Sequence, residues 1–190
     1  MNSIRIYFSS FFLLCFITSI QAQTTANWTL LKDEPTTQLV FTSSTTKQVK
    51  DYTFKAKWDD KLSYSENIGY YGGIAELKIS KDNKELQSIR NIEDGIALGE
   101  IRFTFYDYNM DGHIDFTVPI NCSNSCYDAY YLYNPETNTF EYQKDWDYLR
   151  IQKLDKKNKQ ILSQPEGTAR DIEQKLYKVE GNNLQLIKKL

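Results

Sequence analysis

Along most of the chain apolar and polar side chains alternate, and a period of two marks strands that bury one face. Residues 52–58, Tyr-Thr-Phe-Lys-Ala-Lys-Trp, alternate without a break until Asp59, Asp60 and Lys61 end the run. Residues 74–79 alternate again, Asp82 and Asn83 supply a turn, and residues 85–92 return, so 74–92 predicts a hairpin. Residues 100–106 and 114–120 predict two more strands, and 129–133 pairs with 139–143 across the turn Asn134-Pro135-Glu136-Thr137-Asn138. A short helical turn is expected over 144–149. Residues 150–154 with 160–163, and 174–179 with 184–187 across Gly181-Asn182-Asn183, predict two further hairpins. Ala169, Ile172, Leu176 and Val179 also recur at helical spacing, which leaves a helix over 168–178 as the alternative there. Before residue 51 only 38–43 reads as a strand, so the polar, Thr-rich stretch 23–50 is expected to be a loosely ordered leading segment. Residues 51–190 are expected to form a single β domain. Hairpin after hairpin predicts an all-β fold, an antiparallel meander forming a β-sandwich or a strongly bent sheet.

Residues 1–22 break the pattern and read as a secretory signal peptide. Arg5 supplies the positive charge, residues 8–20 an apolar stretch, and Ala22 a small residue for cleavage before Gln23. Ser9, Ser10, Thr18 and Ser19 interrupt that stretch, which is too short for the roughly 20 apolar residues of a membrane span. No membrane span is expected in the mature chain. Leu14 before Cys15 is too bulky for a lipid-attachment motif. Export to the periplasm or the medium is the expected outcome. Cys122 and Cys126 then form an even pair in an oxidising compartment, which predicts a disulfide. So short a loop gains about 2 kcal/mol at most, so the bond's main role is to fix the shape of residues 121–127. A closed zinc site would need more ligands than two cysteines and one histidine.

The chemistry of the chain centres on Asp107-Tyr108-Asn109-Met110-Asp111-Gly112-His113-Ile114-Asp115. Oxygen-bearing side chains at 107, 109 and 111, a glycine at 112 and an aspartate at 115 have the spacing of a calcium loop, since Ca2+ takes six to eight oxygen ligands. Gly112 supplies the tight curl, and His113 would offer its carbonyl and not its ring. The twelfth position, where an EF-hand has a bidentate glutamate, is Val118, and both flanks read as strands. The expectation is a calcium loop on a β scaffold, with weak affinity of about 10⁻⁴–10⁻³ M. Glu93, Asp94 or Asp128 would complete the shell. The alternative is a plain acidic turn, which Asp, Asn and Gly also favour.

Net charge of −2 over 190 residues leaves no electrostatic footprint for nucleic acid. His113 is the only histidine, so a triad with a histidine base is excluded as a reading, and no nucleophile elbow, phosphate loop or His-Glu-x-x-His helix occurs. The expectation is a protein that binds and does not catalyse. Tyrosine, at 14 residues, is the abundant contact residue. Alternation sets Tyr131 and Tyr133 on one sheet face and Tyr130 with Leu132 on the other. Tyr127, beside the cysteines, and Tyr70-Tyr71, in a glycine-bounded loop, are candidate anchors for a partner.

Three segments carry a family resemblance: Phe-Tyr-Asp-Tyr-Asn-Met-Asp-Gly-His-Ile-Asp-Phe (105–116), Asn-Cys-Ser-Asn-Ser-Cys-Tyr (121–127) and Tyr-Tyr-Leu-Tyr-Asn-Pro-Glu-Thr-Asn-Thr-Phe (130–140). Over residues 100–143 the chain resembles the calcium-binding periplasmic immunity proteins, which inhibit lysozyme-like toxins of antibacterial type IV secretion systems. Their inhibitory fold is related to that of the invertebrate-type lysozyme inhibitors. The resemblance implies a β-sandwich, Ca2+ on Asp107, Asn109, Asp111, His113 and Asp115, and a lysozyme-like hydrolase as partner. It also implies a loop inserted into the enzyme's cleft, placed here at Ser123, Ser125 and Tyr127. Members are often lipoproteins, and this chain departs from them in lacking that motif. The alternative function is a non-catalytic periplasmic or surface module for polysaccharide or protein.

Overall fold

The computed structural model describes residues 27–122, 125–165 and 173–190. Their regular structure is sixteen strands and two single-turn 3-10 helices. Three antiparallel sheets stack as a β-sandwich with a middle layer, and none closes into a barrel. The first sheet runs β3 (Thr45–Val49), β4 (Tyr52–Asp59), β7 (Gly73–Lys81), β8 (Lys84–Glu93). The middle sheet runs β12 (Thr139–Tyr142), β11 (Cys126–Asn134), β10 (Asp115–Cys122), β9 (Ile101–Tyr106), β2 (Thr37–Phe41). The third runs β1 (Trp28–Leu30), β13 (Ile151–Asp155), β14 (Gln160–Ser163), β15 (Lys175–Glu180), β16 (Asn183–Lys189). A small ribbon, β5 (Tyr64–Ser65) with β6 (Gly69–Tyr70), stands apart from them.

Alternation decides the outer layers. On β4, Tyr52, Phe54 and Ala56 are buried while Lys55 and Lys57 face water, as a sheet with one wet face requires. The middle sheet is buried on both faces over its centre, where β11 runs Ala129-Tyr130-Tyr131-Leu132-Tyr133 without a polar break. Phe103, Phe105, Phe116, Val118, Tyr133 and Phe140 pack toward the first sheet with Phe54 and Leu77. Tyr106, Tyr130 and Leu132 pack toward the third with Leu154, Ile161 and Val179. Tyr131 and Tyr130 accordingly lie on opposite faces, as their spacing predicts. Trp146, in the 3-10 turn Lys144–Trp146, is fully buried and fills the second core.

One expectation is corrected. The stretch 23–50 is not a loose leader over its described part, because it sends β1 to the third sheet, β2 to the middle sheet and β3 to the first. Its Thr and Gln residues form edge strands, where half the side chains face solvent and a polar sequence is compatible with pairing. Residues 175–180 are strand, not helix, 173–174 carry no regular structure, and 168–172 of the helical alternative lie outside the described residues. The signal-peptide reading of residues 1–22 also lies outside them. Among the described residues no helix is long and apolar enough to cross a membrane.

Candidate functional site

Residues 107–114 connect β9 to β10 at the point where Tyr106 and Asp115 are paired. The chain curls there through positive φ at Met110 (59°) and Gly112 (92°). A Cβ at Gly112 would touch nothing within 4 Å, so glycine is placed for its backbone angle and not for space. The short side chains hold the curl. Asp107 accepts from the backbone N–H groups of Asp111 and Gly112, both at 2.9 Å, and Asp111 accepts from His113 N–H at 2.8 Å. Asn109 Oδ1 accepts from Asp111 N–H at 3.2 Å. The His113 ring packs against Tyr133 with centroids 5.2 Å apart, away from a ligand's role.

Asp115 is placed differently. It is fully buried, with one oxygen accepting from Tyr108 N–H and the other from Tyr133 N–H, both at 2.8 Å. It therefore ties the loop to the neighbouring strand β11. Desolvation pushes its carboxyl up to about 8, against the two N–H donors, and the charges of Asp111 and Asp107 push it the same way. Three carboxylates thus share one field. Among the described residues no three His, Cys, Asp or Glu side chains converge into a ready-made metal cluster. The donors this loop offers also include the Asn109 amide and a backbone carbonyl, and an all-oxygen set under uncompensated negative charge suits a hard divalent cation.

The further ligands expected from Glu93, Asp94 or Asp128 form no bond with the loop among the described residues. Asp94 is buried and accepts from the N–H groups of Ile96, Leu98 and Gly99, so it organises its own turn. What reaches the loop is Asn182, from the β15–β16 turn. Its Oδ1 accepts from Asn109 Nδ2 at 2.9 Å, and its carbonyl accepts from Trp146 Nε1 at 2.8 Å. Asn109 is thereby oriented by a turn 73 residues away. The Gly-Asn-Asn sequence signalled the turn and gave no sign of its target.

Cys122 and Cys126 are disulfide-bonded and face each other at the end of the β10–β11 hairpin. Ser125 is buried beneath that end, and Ser123 lies outside the described residues. Tyr127 is half-buried, its ring edge-on to Tyr148 with centroids 5.1 Å apart. Tyr148 is 65% exposed at a positive φ of 64°. The Tyr142 hydroxyl donates to Asp147 beside it. Sequence reasoning named Tyr127 and missed Tyr148, which follows a 3-10 turn and carries no periodic signal. Of the other candidate pair, Tyr71 is half-buried, while Tyr70 is exposed and packs against Tyr64 at 5.0 Å.

No family model, curated protein or solved structure matches the chain in the comparisons made with each.

Proposed function

We propose that this chain is an exported calcium-binding protein that inhibits a lysozyme-like peptidoglycan hydrolase by inserting a loop. The observation that carries this reading is the disulfide-closed hairpin end with Tyr127 and the exposed Tyr148 packed beside it. A tight cross-link and a ring held by its neighbour reduce the ordering cost of docking, and tyrosine buries much area with few torsions to freeze. Calcium would be held by the side chains of Asp107, Asn109, Asp111 and Asp115 and the carbonyl of His113, with Asn182 keeping Asn109 in place. Its contribution is to neutralise the carboxylates and stiffen the end of the middle sheet. The protein acts by binding and is not itself an enzyme.

The test is a muramidase assay of the purified mature chain against lysozymes and lysozyme-like hydrolases, in calcium and in chelator. Inhibition at stoichiometric concentration is expected, and Tyr127→Ala should weaken it at least about tenfold while leaving the melting curve unchanged. Full inhibition by that variant would move the inserted loop elsewhere. For the metal, about 10 mM calcium should stabilise the protein by about 1.4–2.7 kcal/mol at the affinity expected. Asp111→Ala should erase the difference between calcium and chelator, and an unchanged calcium response would remove this loop from consideration. The second reading, a non-catalytic module for polysaccharide or protein, is favoured by the exposed Tyr64–Tyr70 pair. It predicts no inhibition across the panel and retention on a glycan or protein column that is lost with Tyr70→Ala.

A further inference from the structure

The face of the middle sheet that packs on the third sheet is aromatic and aliphatic at Tyr106, Tyr130 and Leu132, then turns polar. Thr104 is paired with Thr117 across β9 and β10, and Asp128 follows on β11, on the same face as Thr117. There the two sheets part, leaving a cavity of about 520 Å3 roofed by residues of β1, β13 and the segment after β14. That volume lies within the range of small-molecule sites. Its floor is built: the Tyr108 hydroxyl lies 3.3 Å from both the Thr104 carbonyl and Thr117 Oγ1. Gln152 and Gln164 enter from the third sheet. Their side-chain oxygens are already taken, by Gln174 Nε2 at 2.7 Å and Arg150 Nη2 at 3.0 Å, so these two residues have amide N–H groups left to offer.

Asp128 is the residue the fold does not explain. It is partly buried on the cavity wall and has no hydrogen-bond or ion-pair partner among the described residues. Burial pushes its carboxyl up, and Lys32, the one cationic side chain in the cavity lining, makes no ion pair with it. A carboxylate drawn out of water without a partner is costly, and an incoming positive charge recovers that cost. The walls then supply hydroxyls and amide donors that match oxygen atoms near the charge. We propose that this cavity binds a small organic cation, an ammonium or guanidinium compound bearing hydroxyl or carbonyl oxygens, with Asp128 pairing the charge. This site shares Tyr108 with the calcium loop but uses none of the proposed calcium ligands, and it does not rest on the inhibitor reading.

The experiment is a titration of the 15N-labelled mature chain, with D-glucosamine, L-lysinamide and agmatine as probes and D-glucose as neutral control. At least one amine should bind saturably below about 10 mM, with shifts centred on Thr104, Thr117 and Asp128. Asp128→Asn should weaken that binding about tenfold or more, because the charge-assisted bond is lost, while the calcium response and the melting curve persist. Gln152→Leu, which leaves Asp128 in place, should weaken it less. Absence of binding by all three amines, equal binding of D-glucose, shifts centred elsewhere, or full affinity in Asp128→Asn would each overturn the proposal.

Discussion

Asp115→Ala is expected to lower the free energy of unfolding by about 3 kcal/mol at neutral pH, roughly 6–12 °C in the midpoint for a chain of this size. The cause is not lost charge. Two buried N–H groups, of Tyr108 and Tyr133, depend on this one side chain for their acceptors, and alanine leaves both without one. The deficit should appear in calcium and in chelator, which separates Asp115 from Asp111. A loss confined to calcium would reduce Asp115 to an ordinary ligand. The charge itself works against stability in chelator. The folded carboxyl titrates near 8, raised by burial and then by Asp111 and Asp107, whereas in the unfolded chain it titrates near about 4. Between those values the folded form holds a proton that the unfolded form has released. This group's contribution is therefore fully present below about pH 4 and is lost as pH rises toward 8. Asp115→Asn should flatten that slope in urea melts taken in chelator.

Phe116→Ala is expected to cost about 4 kcal/mol. Phe116 is fully buried, stacks on Tyr131 at 4.7 Å and meets Phe140, Phe103 and Phe105 at 5.1, 5.3 and 5.7 Å. It sits one residue from Asp115 and on the other face of the same strand, so the two substitutions probe the two cores separately. Phe116→Leu, which refills much of the space, should cost less than about half as much. Equal losses for the two variants in urea unfolding would show that ring contacts, and not volume, dominate this core.

Much of this architecture is local and was readable. The strands from Tyr52 onward follow alternation, their turns follow Asp-Asn, Asn-Pro and Gly-Asn pairs, and the disulfide follows from two closely spaced cysteines in a chain read as exported. What escaped is non-local. The polar leader pairs through β1 with β13, whose residues lie more than a hundred positions away, and no local pattern records that pairing. The double-sided burial of the middle sheet was written in runs such as Ala-Tyr-Tyr-Leu-Tyr, where alternation alone does not say that both faces are covered. Asp107, Asn109 and Asp111 could be picked out by spacing, whereas Asn182 and the empty flank of Asp128 depend on which turn meets which sheet.

The third sheet has β1 at one edge and β16 at the other, so the described chain begins and ends on opposite borders of a single sheet. A pull applied to its two ends is taken first by the β1–β13 and β15–β16 ladders, each an outermost pair. The pull at the C-terminal end then runs on through the third sheet, whereas the pull at the other end passes from β1 to β2, an edge strand of the middle sheet. Tension would therefore strip β1, which helps roof the Asp128 cavity, and β16, which follows the Asn182 turn, before it reached the disulfide-closed hairpin.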